Sequence, residues 1–370
     1  MAKNWMTALQ KHDGYVSRTI NPLEGLIRMP TPSVGFALGP PHGLVRGRSM
    51  VLSGPSEGGK SYFLNAIIGQ LHKDDPNSIA IKYDTEFRDE GQLTPEQAAL
   101  LGVDLNRYTC YSVNTPEGIF DHITHDVAAL CDDGMPLALI AIDSLNNIQG
   151  IRMTGNDSVM DQTIGDLAQT LKIGLTKVLP IQKKFRIGLI HVAQVRSEMD
   201  QLEIRRGNKL RIALPHTAQH LIDYWAYIEP NKNKEGKTDL SGEELVDGEK
   251  MDALGNADAI GHKIRFKLKK SSYGIKGRTG EFTINYRKGI VNTFEEAFLL
   301  GVNRKVIERP NNLTYSFGAE RWVGKPAILD ALKTSPALCD AIIQEVYKRD
   351  LNPKDDDTEI TSENSSESDQ

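Results

Sequence analysis

The chain is 370 residues long, with 39% hydrophobic and 25% charged residues. This is the composition of an ordinary globular protein with one large core and smaller attachments. No apolar run reaches the roughly 20 residues of a membrane-spanning helix, and the first residues lack an apolar signal segment. We therefore expect a cytoplasmic protein without a membrane partner. The three cysteines lack metal-type spacing and are expected to be reduced: Cys110, Cys131 and Cys339.

The net charge of −5 is unevenly distributed. Residues 354–370 contain seven acidic residues and one lysine, so this tail carries −6 and the rest of the chain +1. A segment so acidic and so poor in apolar residues cannot bury enough surface to become ordered. Two interpretations stay open: a solubilising terminus, or an electrostatic competitor that shields a nucleic-acid site on the same protein.

The first two thirds of the chain alternate between strand and helix patterns. Residues 1–40 have a weak helical pattern and three prolines near their end, and they are expected to form a separate arm. Short apolar runs follow at residues 49–53, 78–83, 137–143 and 186–193. Helical patterns come after them at residues 60–73, 94–101, 115–131 and 161–182. This alternation predicts an α/β fold with a mainly parallel twisted sheet that is covered on both faces.

The pattern changes in the last third of the chain. Residues 262–268 and 280–286 alternate between apolar and polar, which predicts an antiparallel hairpin at one edge of the sheet. The expected facing residues are Ile264, Phe266 and Leu268 with Phe282, Ile284 and Tyr286. Helical patterns at 293–300 and 325–348 predict a small α-rich C-terminal cap. The predicted organisation is an N-terminal arm (1–40), a core (41–300), a cap (301–353) and an acidic tail (354–370).

One motif carries specific chemistry. The letters GPSEGGKS at residues 54–61 fit the pattern GxxxxGK[ST] between a predicted strand and a predicted helix. Glycines let backbone N–H groups turn towards phosphate oxygens, and the helix N-terminus adds positive potential. Lys60 is expected to reach the β- and γ-phosphates of ATP, and Ser61 to bind Mg²⁺. The predicted nucleotide-binding residues are Gly54, Pro55, Ser56, Glu57, Gly58, Gly59, Lys60, Ser61 and Tyr62.

Two acidic positions follow other predicted strands. Asp143 ends an apolar run, where a second Mg²⁺ ligand is expected, although an aspartate that caps a turn fits the same pattern. Glu86 lies just past the strand at 78–83, and ligands bind at the carboxyl ends of parallel strands. Its carboxylate is expected to orient or deprotonate the attacking water. Asp84 competes for that role on position alone, and an inert surface pair is the remaining alternative.

A basic segment follows the fourth predicted strand. Gln194 ends that strand, and its amide can hydrogen-bond a γ-phosphate. The predicted loop after it contains Arg196 and continues to a cluster whose charges suit a phosphate backbone. A solvated basic loop is the alternative. The cluster consists of Arg205, Arg206, Lys209 and Arg211.

With these residues in order, the chain resembles the RecA/UvsX recombinases, with the phage branch the closer, over residues 43–348. The matching stretches are GPSEGGKS (54–61), YDTEF (83–87), LGVD (101–104), IDSLNN (142–147) and KKSS (269–272). The resemblance implies a RecA-type P-loop ATPase core that uses ATP and Mg²⁺. It also implies that the ATP site is shared between neighbouring subunits of a helical filament.

The resemblance also implies roles for individual residues. Gln194 would couple the γ-phosphate to a second DNA loop at 195–215, while Arg152 and Met153 would lie in a first DNA loop at 149–165. Lys270 would reach the neighbour's ATP, with Lys269 as the alternative register. Two departures exist: Ser272 stands where the bacterial pattern has a second lysine, and the glycines that close the second loop are replaced. Either Lys276 or Arg278 could take the place of that lysine.

The predicted function is a DNA-dependent ATPase that forms filaments on single-stranded DNA and exchanges strands with double-stranded DNA. Recombination, repair and recombination-dependent replication would use this activity, in the bacterial host cytoplasm if the chain is phage-encoded. A single-strand-binding protein and a loading mediator are the further partners expected. The alternatives are a RecA-fold ring helicase or DNA motor, a regulatory nucleotide-binding paralogue without strand exchange and, less favoured, a P-loop kinase for small molecules.

Overall fold

A computed structural model of the chain describes most residues from 25 to 351. The described ranges are 25–56, 58–87, 93–150, 166–199, 201, 205, 210–212, 214, 216–231, 261–273 and 275–351. The strands are β1 Leu26–Arg28, β2 Gly43–Val45, β3 Ser49–Gly54, β4 Ile79–Asp84, β5 Tyr108–Ser112, β6 Leu137–Asp143, β7 Gly188–Ser197, β8 Leu210–Ile212, β9 Tyr224–Pro230, β10 Gly261–Ser271, β11 Thr279–Asn285, β12 Gly289–Val291, β13 Thr314–Phe317 and β14 Glu320–Val323.

The helices alternate with these strands in the first half of the chain and collect at its end. They are α1 Pro32–Leu38, α2 Lys60–Asp74, α3 Pro95–Leu101, α4 Ala128–Asp132, α5 Asp166–Lys184, α6 His216–Gln219, α7 Thr293–Asn303, α8 Lys325–Thr334 and α9 Pro336–Leu351. Two π-helical turns, Glu117–Asp121 and Ile123–Val127, lead into α4. Within the described part of the chain, no helix combines the length and the apolar character needed to cross a membrane.

A single large sheet organises the core. Its strand order is β12-β11-β10-β9-β3-β7-β6-β4-β5, with β8 paired to β7. The strands from β9 to β5 in this order run parallel, whereas β10, β11 and β12 extend the sheet antiparallel. This confirms the predicted fold class, a mainly parallel sheet with an antiparallel hairpin at one edge.

The sheet is buried on both faces because its central strands are almost wholly apolar. On one face, α2 contributes Phe63, Leu64 and Ile67 to a buried cluster that also contains Ala80 and Ala141. On the other face, α5 contributes Leu171 and Leu175 to a second cluster. The carboxyl ends of β3, β4, β6 and β7 therefore meet at one edge between these two layers.

Some predicted elements differ from the structure. The helix predicted at 325–348 is two helices, because Pro336 disfavours the helical conformation of the residue before it and Ser335 is extended. Tyr286, predicted to face the hairpin interior, lies beyond the end of β11 and is exposed, whereas Ile264 pairs with Phe282 as expected. The strands β5 and β9 were not predicted.

The N-terminal residues that the structure describes are part of the core. β1 pairs with β2 in antiparallel register. In α1, Val34, Ala37 and Leu38 are buried within the main cluster. These residues fall inside the range 1–40, for which an arm is predicted; residues 1–24 of that range lie outside the described ranges.

The C-terminal residues form the expected cap, with a small antiparallel hairpin of β13 and β14 that was not predicted. Phe298 of α7, Ile328 of α8 and Ile342 of α9 share one apolar cluster. The cap is fastened to the core by a bidentate pair, because Arg278 donates to both carboxylate oxygens of Asp350 at 2.7 and 2.8 Å. The acidic tail, residues 354–370, lies outside the described residues.

Candidate nucleotide site and the strand beside it

The P-loop motif has the predicted strand–loop–helix context. All residues of β3 are buried, and α2 starts at Lys60 directly after the glycines. Gly59 has φ +78°, a left-handed conformation that favours glycine. A Cβ on Gly54 would lie 2.1 Å from the carbonyl oxygen of Ile228, so only glycine fits between β3 and β9 there. The sequence thus forces the chain to turn tightly into the helix N-terminus.

Lys60 is already held over this loop. Its Nζ donates hydrogen bonds to the carbonyl oxygens of Gly54, at 3.2 Å, and Pro55. The side chain is buried, so its ammonium adds positive potential in a place shielded from solvent. A cavity of about 240 Å³ opens beside it. The cavity is lined by Ser56, Gly58, Gly59, Lys60, Ser61, Tyr62, Glu86, Asp143, Ser144, Val192, Gln194, His262, Ile284 and Tyr286.

The wall opposite the P-loop is built from the ends of β4 and β6. Thr85 and Ser144 join these ends, since the Thr85 hydroxyl donates to the Ser144 carbonyl at 2.7 Å and accepts from the Ser144 N–H at 2.8 Å. The Ser144 hydroxyl lies 3.4 Å from Glu86 Oε1 and donates to it. Glu86 and Asp143 both line the cavity at this wall.

The two carboxylates of β4 and its following turn have different surroundings. Glu86 lines the cavity and is partly exposed. Asp84 is buried beneath it, and its Oδ1 accepts a hydrogen bond from the Glu86 N–H at 3.1 Å. Asp143 is buried as well, and its Oδ2 lies 3.3 Å from Lys82 Nζ. Position alone left Asp84 and Glu86 as competitors for the water-activating role, and the cavity lining favours Glu86.

The residues present fit a magnesium nucleotide. Mg²⁺ prefers hard oxygen ligands and is usually held by one or two protein side chains together with phosphate oxygens and water. The Ser61 hydroxyl and the Asp143 carboxylate offer such oxygens from opposite sides of the cavity. Phosphates suit the P-loop, because the first N–H groups of a helix have no intrahelical acceptor and Lys60 adds a positive charge. Bound there, Mg²⁺ would neutralise charge on the phosphates.

Of the apolar and aromatic wall of the cavity, the sequence predicted Tyr62 but not Val192, His262, Ile284 and Tyr286. His262 and Tyr286 come from β10 and the end of β11, and Tyr286 Oη lies 2.6 Å from His262 Nδ1. Burial lowers the pKa of His262, which favours its neutral ring. Tyr62 donates to the Asn285 carbonyl at 3.3 Å, which ties α2 to the same strand. These rings offer flat surfaces on which a nucleotide base can stack.

Gln194 and the first basic residue share a strand. Gln194 lines the cavity, and its N–H is fixed by Asn146 Oδ1 at 2.8 Å. β7 continues to Ser197, three residues past Gln194, where the strand was predicted to end, and pairs with β8. Arg196 stands directly opposite Arg211 in that pair, and both side chains are exposed. The second predicted DNA loop therefore begins and ends as a β-ribbon that emerges from the nucleotide site.

Lys270 lies away from the cavity of its own chain. Lys270 pairs with Trp225 of β9, and Trp225 pairs with Val51 of β3. Lys270 is therefore level with a position three residues, or roughly 10 Å, before Gly54 along β3. Its Nζ donates to the carbonyls of Gln219 and Ile222 at 2.8 and 2.7 Å. Lys269 is exposed on the other face.

Lys276 and Arg278 were the two residues that could take the place of the second lysine of the bacterial pattern. Arg278 is engaged by Asp350 and by the Phe36 carbonyl, whereas Lys276 is exposed. Of the other predicted DNA contacts, Arg205 is exposed. Five predicted site residues lie outside the described residues: Glu57, Arg152, Met153, Arg206 and Lys209.

Together, the P-loop, the acidic end of β6 and the strand order define a P-loop protein with a RecA-type α/β core. No family model matches the chain. It is 26% identical over 329 residues to Protein RecA of Wigglesworthia glossinidia brevipalpis, covering 86% of this chain and 85% of that protein. Protein RecA of Thermus aquaticus is 24% identical over 326 residues, covering 87% and 85%. This similarity supports RecA-family membership and a RecA-like, ATP-binding recombinase or ATPase.

Proposed function

We propose that this chain is an ATP- and Mg²⁺-dependent recombinase of the RecA/UvsX type, in its phage branch. It forms helical filaments on single-stranded DNA, hydrolyses ATP in response to DNA, and pairs and exchanges strands with homologous double-stranded DNA. It acts in the cytoplasm, alongside a single-strand-binding protein and a loading mediator. Lys60 and Ser61 bind the phosphates and Mg²⁺, Asp143 binds Mg²⁺ and Glu86 activates water.

One observation carries the proposal: strand β7 belongs both to the nucleotide cavity and to a basic ribbon. The basic ribbon is the antiparallel pair of β7 and β8 that carries Arg196 and Arg211. Gln194 lines the cavity, and Arg196 follows two residues later on the same continuous strand. Arg196 and Arg211 face each other across β7 and β8, and like charges directly opposite one another destabilise a strand pair. A phosphate backbone between or beside them would remove this repulsion. A change at the γ-phosphate can therefore reach the DNA contacts through a few bonds.

The position of Lys270 supports a filament. Lys270 lies near the end of β10, level with Val51, and therefore cannot reach phosphates held past Gly54 in the same chain. The resemblance assigns Lys270 to the ATP of a neighbouring subunit, which is compatible with this distance. In a filament, each ATP would then lie between two subunits, and hydrolysis would depend on assembly.

The basic ribbon supplies the first test. The variant with both Arg196→Ala and Arg211→Ala should bind single-stranded DNA of every sequence more weakly. Each lost phosphate contact flattens the log–log salt dependence by about 0.7, so two contacts remove about 1.4 units of slope. DNA-stimulated hydrolysis should fall, whereas ATP binding without DNA should persist. Fluorescence anisotropy over a salt series and an ATPase assay with and without DNA measure these effects.

A matched control removes two exposed lysines from elsewhere. Lys177 and Lys184 lie in the C-terminal half of α5, near the amino end of β7, and pair with Asp121 and Asp132. Their replacement by Ala should leave the salt slope and the stimulation by DNA at the wild-type level. An arginine variant with an unchanged slope and unchanged stimulation would show that the ribbon is a solvated surface.

The wild-type protein supplies the test of the whole proposal. With ATP, Mg²⁺ and single-stranded DNA, we expect ATP hydrolysis above the DNA-free rate and helical filaments by negative-stain microscopy. Closed rings in the same images would favour a ring helicase, and binding of ATP without hydrolysis would favour a regulatory protein. Strand exchange between a single strand and a homologous duplex then tests the recombinase itself.

A further inference from the structure

A lysine is buried beside the carboxylate assigned to Mg²⁺. Lys82 lies in the middle of β4, in register with Ala141 of β6 and Cys110 of β5. Its Nζ is 3.3 Å from Asp143 Oδ2, and each of the two side chains is only 7% exposed. The catalytic roles proposed above make no use of Lys82.

The surroundings of Lys82 are acidic as well as apolar. Asp84 follows it by two residues and therefore points to the same face of the sheet. Asp84 and Asp143 stand opposite each other in the parallel pair of β4 and β6, and both are buried. Among the described residues, Asp84 Oδ2 has no hydrogen-bond partner. Two buried carboxylates on adjacent strands repel each other, so a positive charge in contact with one of them is strongly stabilising.

The apolar neighbours fix the lysine in place. Ala80 and Ala141 belong to the buried cluster under α2, and Cys110 packs against that cluster. Tyr108, which stands on the same face of β5, is buried too. A long side chain enclosed in this way has few alternative positions. Lys82 is therefore held at Asp143 by packing as well as by charge.

We propose that Lys82 is a built-in counter-ion that holds Asp143 in the nucleotide-free protein and competes with Mg²⁺ for this carboxylate. The proposal rests on the proposed function, since that function makes Asp143 a Mg²⁺ ligand. A dication that binds near Asp143 meets the fixed positive charge of Lys82, and this repulsion is weakly screened in a buried site. Lys82 thus lowers the affinity for Mg²⁺ while it stabilises the empty site.

A purely structural ion pair makes a different prediction. In that case, the loss of Lys82 would lower the thermal unfolding midpoint by the same amount at every Mg²⁺ concentration and would leave Mg²⁺ binding unaltered. Measurements of stability and of Mg²⁺ dependence on the same variants therefore separate the two roles.

The test is Lys82→Met, which removes the charge and keeps most of the volume. Binding of a fluorescent ADP analogue is followed as MgCl2 is titrated, and the unfolding midpoint is followed with MgCl2 alone. We expect the Mg²⁺ concentration at half-saturation to fall roughly tenfold, since one unit charge a few ångströms away has at least this effect in a partly buried site. Without Mg²⁺, the variant should have a lower unfolding midpoint than wild type. Added Mg²⁺ should raise the midpoint of the variant more than that of wild type.

Three further variants make the result specific. Lys82→Arg keeps the positive charge and should titrate like wild type. Lys82→Gln offers a hydrogen bond to Asp143 without a charge, so it should behave like Lys82→Met, and it replaces that variant if methionine prevents folding. Lys177→Met removes an exposed lysine and should change neither measurement.

The outcomes are distinguishable from a failure of the proposed function. If wild-type protein binds the ADP analogue independently of Mg²⁺, the assignment of Asp143 is wrong and the proposed function fails with it. If wild type shows Mg²⁺-dependent binding, but the folded Met or Gln variant has the same half-saturation, Lys82 is only a structural ion pair and this inference is overturned.

Discussion

Lys60→Ala should reduce ATP hydrolysis at least about a hundredfold, because removal of one preorganised group from developing phosphate charge has effects of this size. The side chain is buried, so its charge acts on the phosphates with little screening by solvent. Its ammonium donates to the carbonyls of Gly54 and Pro55, so alanine also removes these bonds across the loop. Steady-state phosphate release, with binding of a fluorescent ATP analogue, measures the loss.

The control for Lys60 stands on the same helix. Lys73 is exposed in the last turn of α2, far from the P-loop, and Lys73→Ala should hydrolyse ATP at the wild-type rate. Circular dichroism and an unfolding curve show whether each variant is folded. Wild-type turnover by a folded Lys60→Ala protein would exclude the P-loop as the site of hydrolysis.

The residues at the ends of β3, β4, β6 and β7 could be predicted from the sequence for one physical reason. Buried parallel strands appear as short apolar runs, and parallel strands in one sheet end at the same edge. Polar residues placed directly after such runs, Glu86 and Gln194 among them, must therefore meet. The P-loop motif predicted the kind of ligand, because its glycines and its lysine suit the phosphates of a nucleotide.

The strand β9 could not be predicted in the same way. Its residues Tyr224–Pro230 begin with five aromatic and aliphatic residues, but a polar segment rather than a helical pattern follows them. It becomes a strand because β3 and β10 pair with it from both sides. β10 is 30 residues further along the chain, beyond a polar segment, so local periodicity carries no information about this pairing.

Lys82 and Tyr286 show the same limit within the site. Lys82 interrupts an apolar run, and its charge makes physical sense only with Asp143, which is distant in sequence and adjacent in register. Tyr286 fits the alternating pattern of β11, yet the strand ends at Asn285 and the ring turns to the nucleotide cavity. The alternation of apolar and polar residues predicts on which face of the sheet a side chain lies. The residue at which the strand ends depends on tertiary contacts.

The choice between Glu86 and Asp84 rests on geometry rather than on strand position. Asp84 accepts the Glu86 N–H and lies buried near Lys82 and Asp143, so its charge supports the Mg²⁺ side of the site. Glu86 projects into the cavity and receives the Ser144 hydroxyl on one oxygen. A carboxylate in that position can take a proton from a water held against the γ-phosphate.

Glu86→Gln should therefore bind ATP with near wild-type affinity and hydrolyse it roughly a hundred to ten thousand times more slowly. The amide keeps the shape and can still accept the Ser144 hydrogen bond, but it cannot take up the proton of the attacking water. Because ATP stays bound, filaments formed with ATP and single-stranded DNA should persist, whereas those of the wild type disassemble.

Asp84→Asn is the control: it keeps the oxygen that accepts the Glu86 N–H and should slow hydrolysis less than about tenfold. Stopped-flow phosphate release and time-resolved microscopy of both variants decide the matter: normal hydrolysis by Glu86→Gln with a large loss in Asp84→Asn would transfer the water-activating role to Asp84.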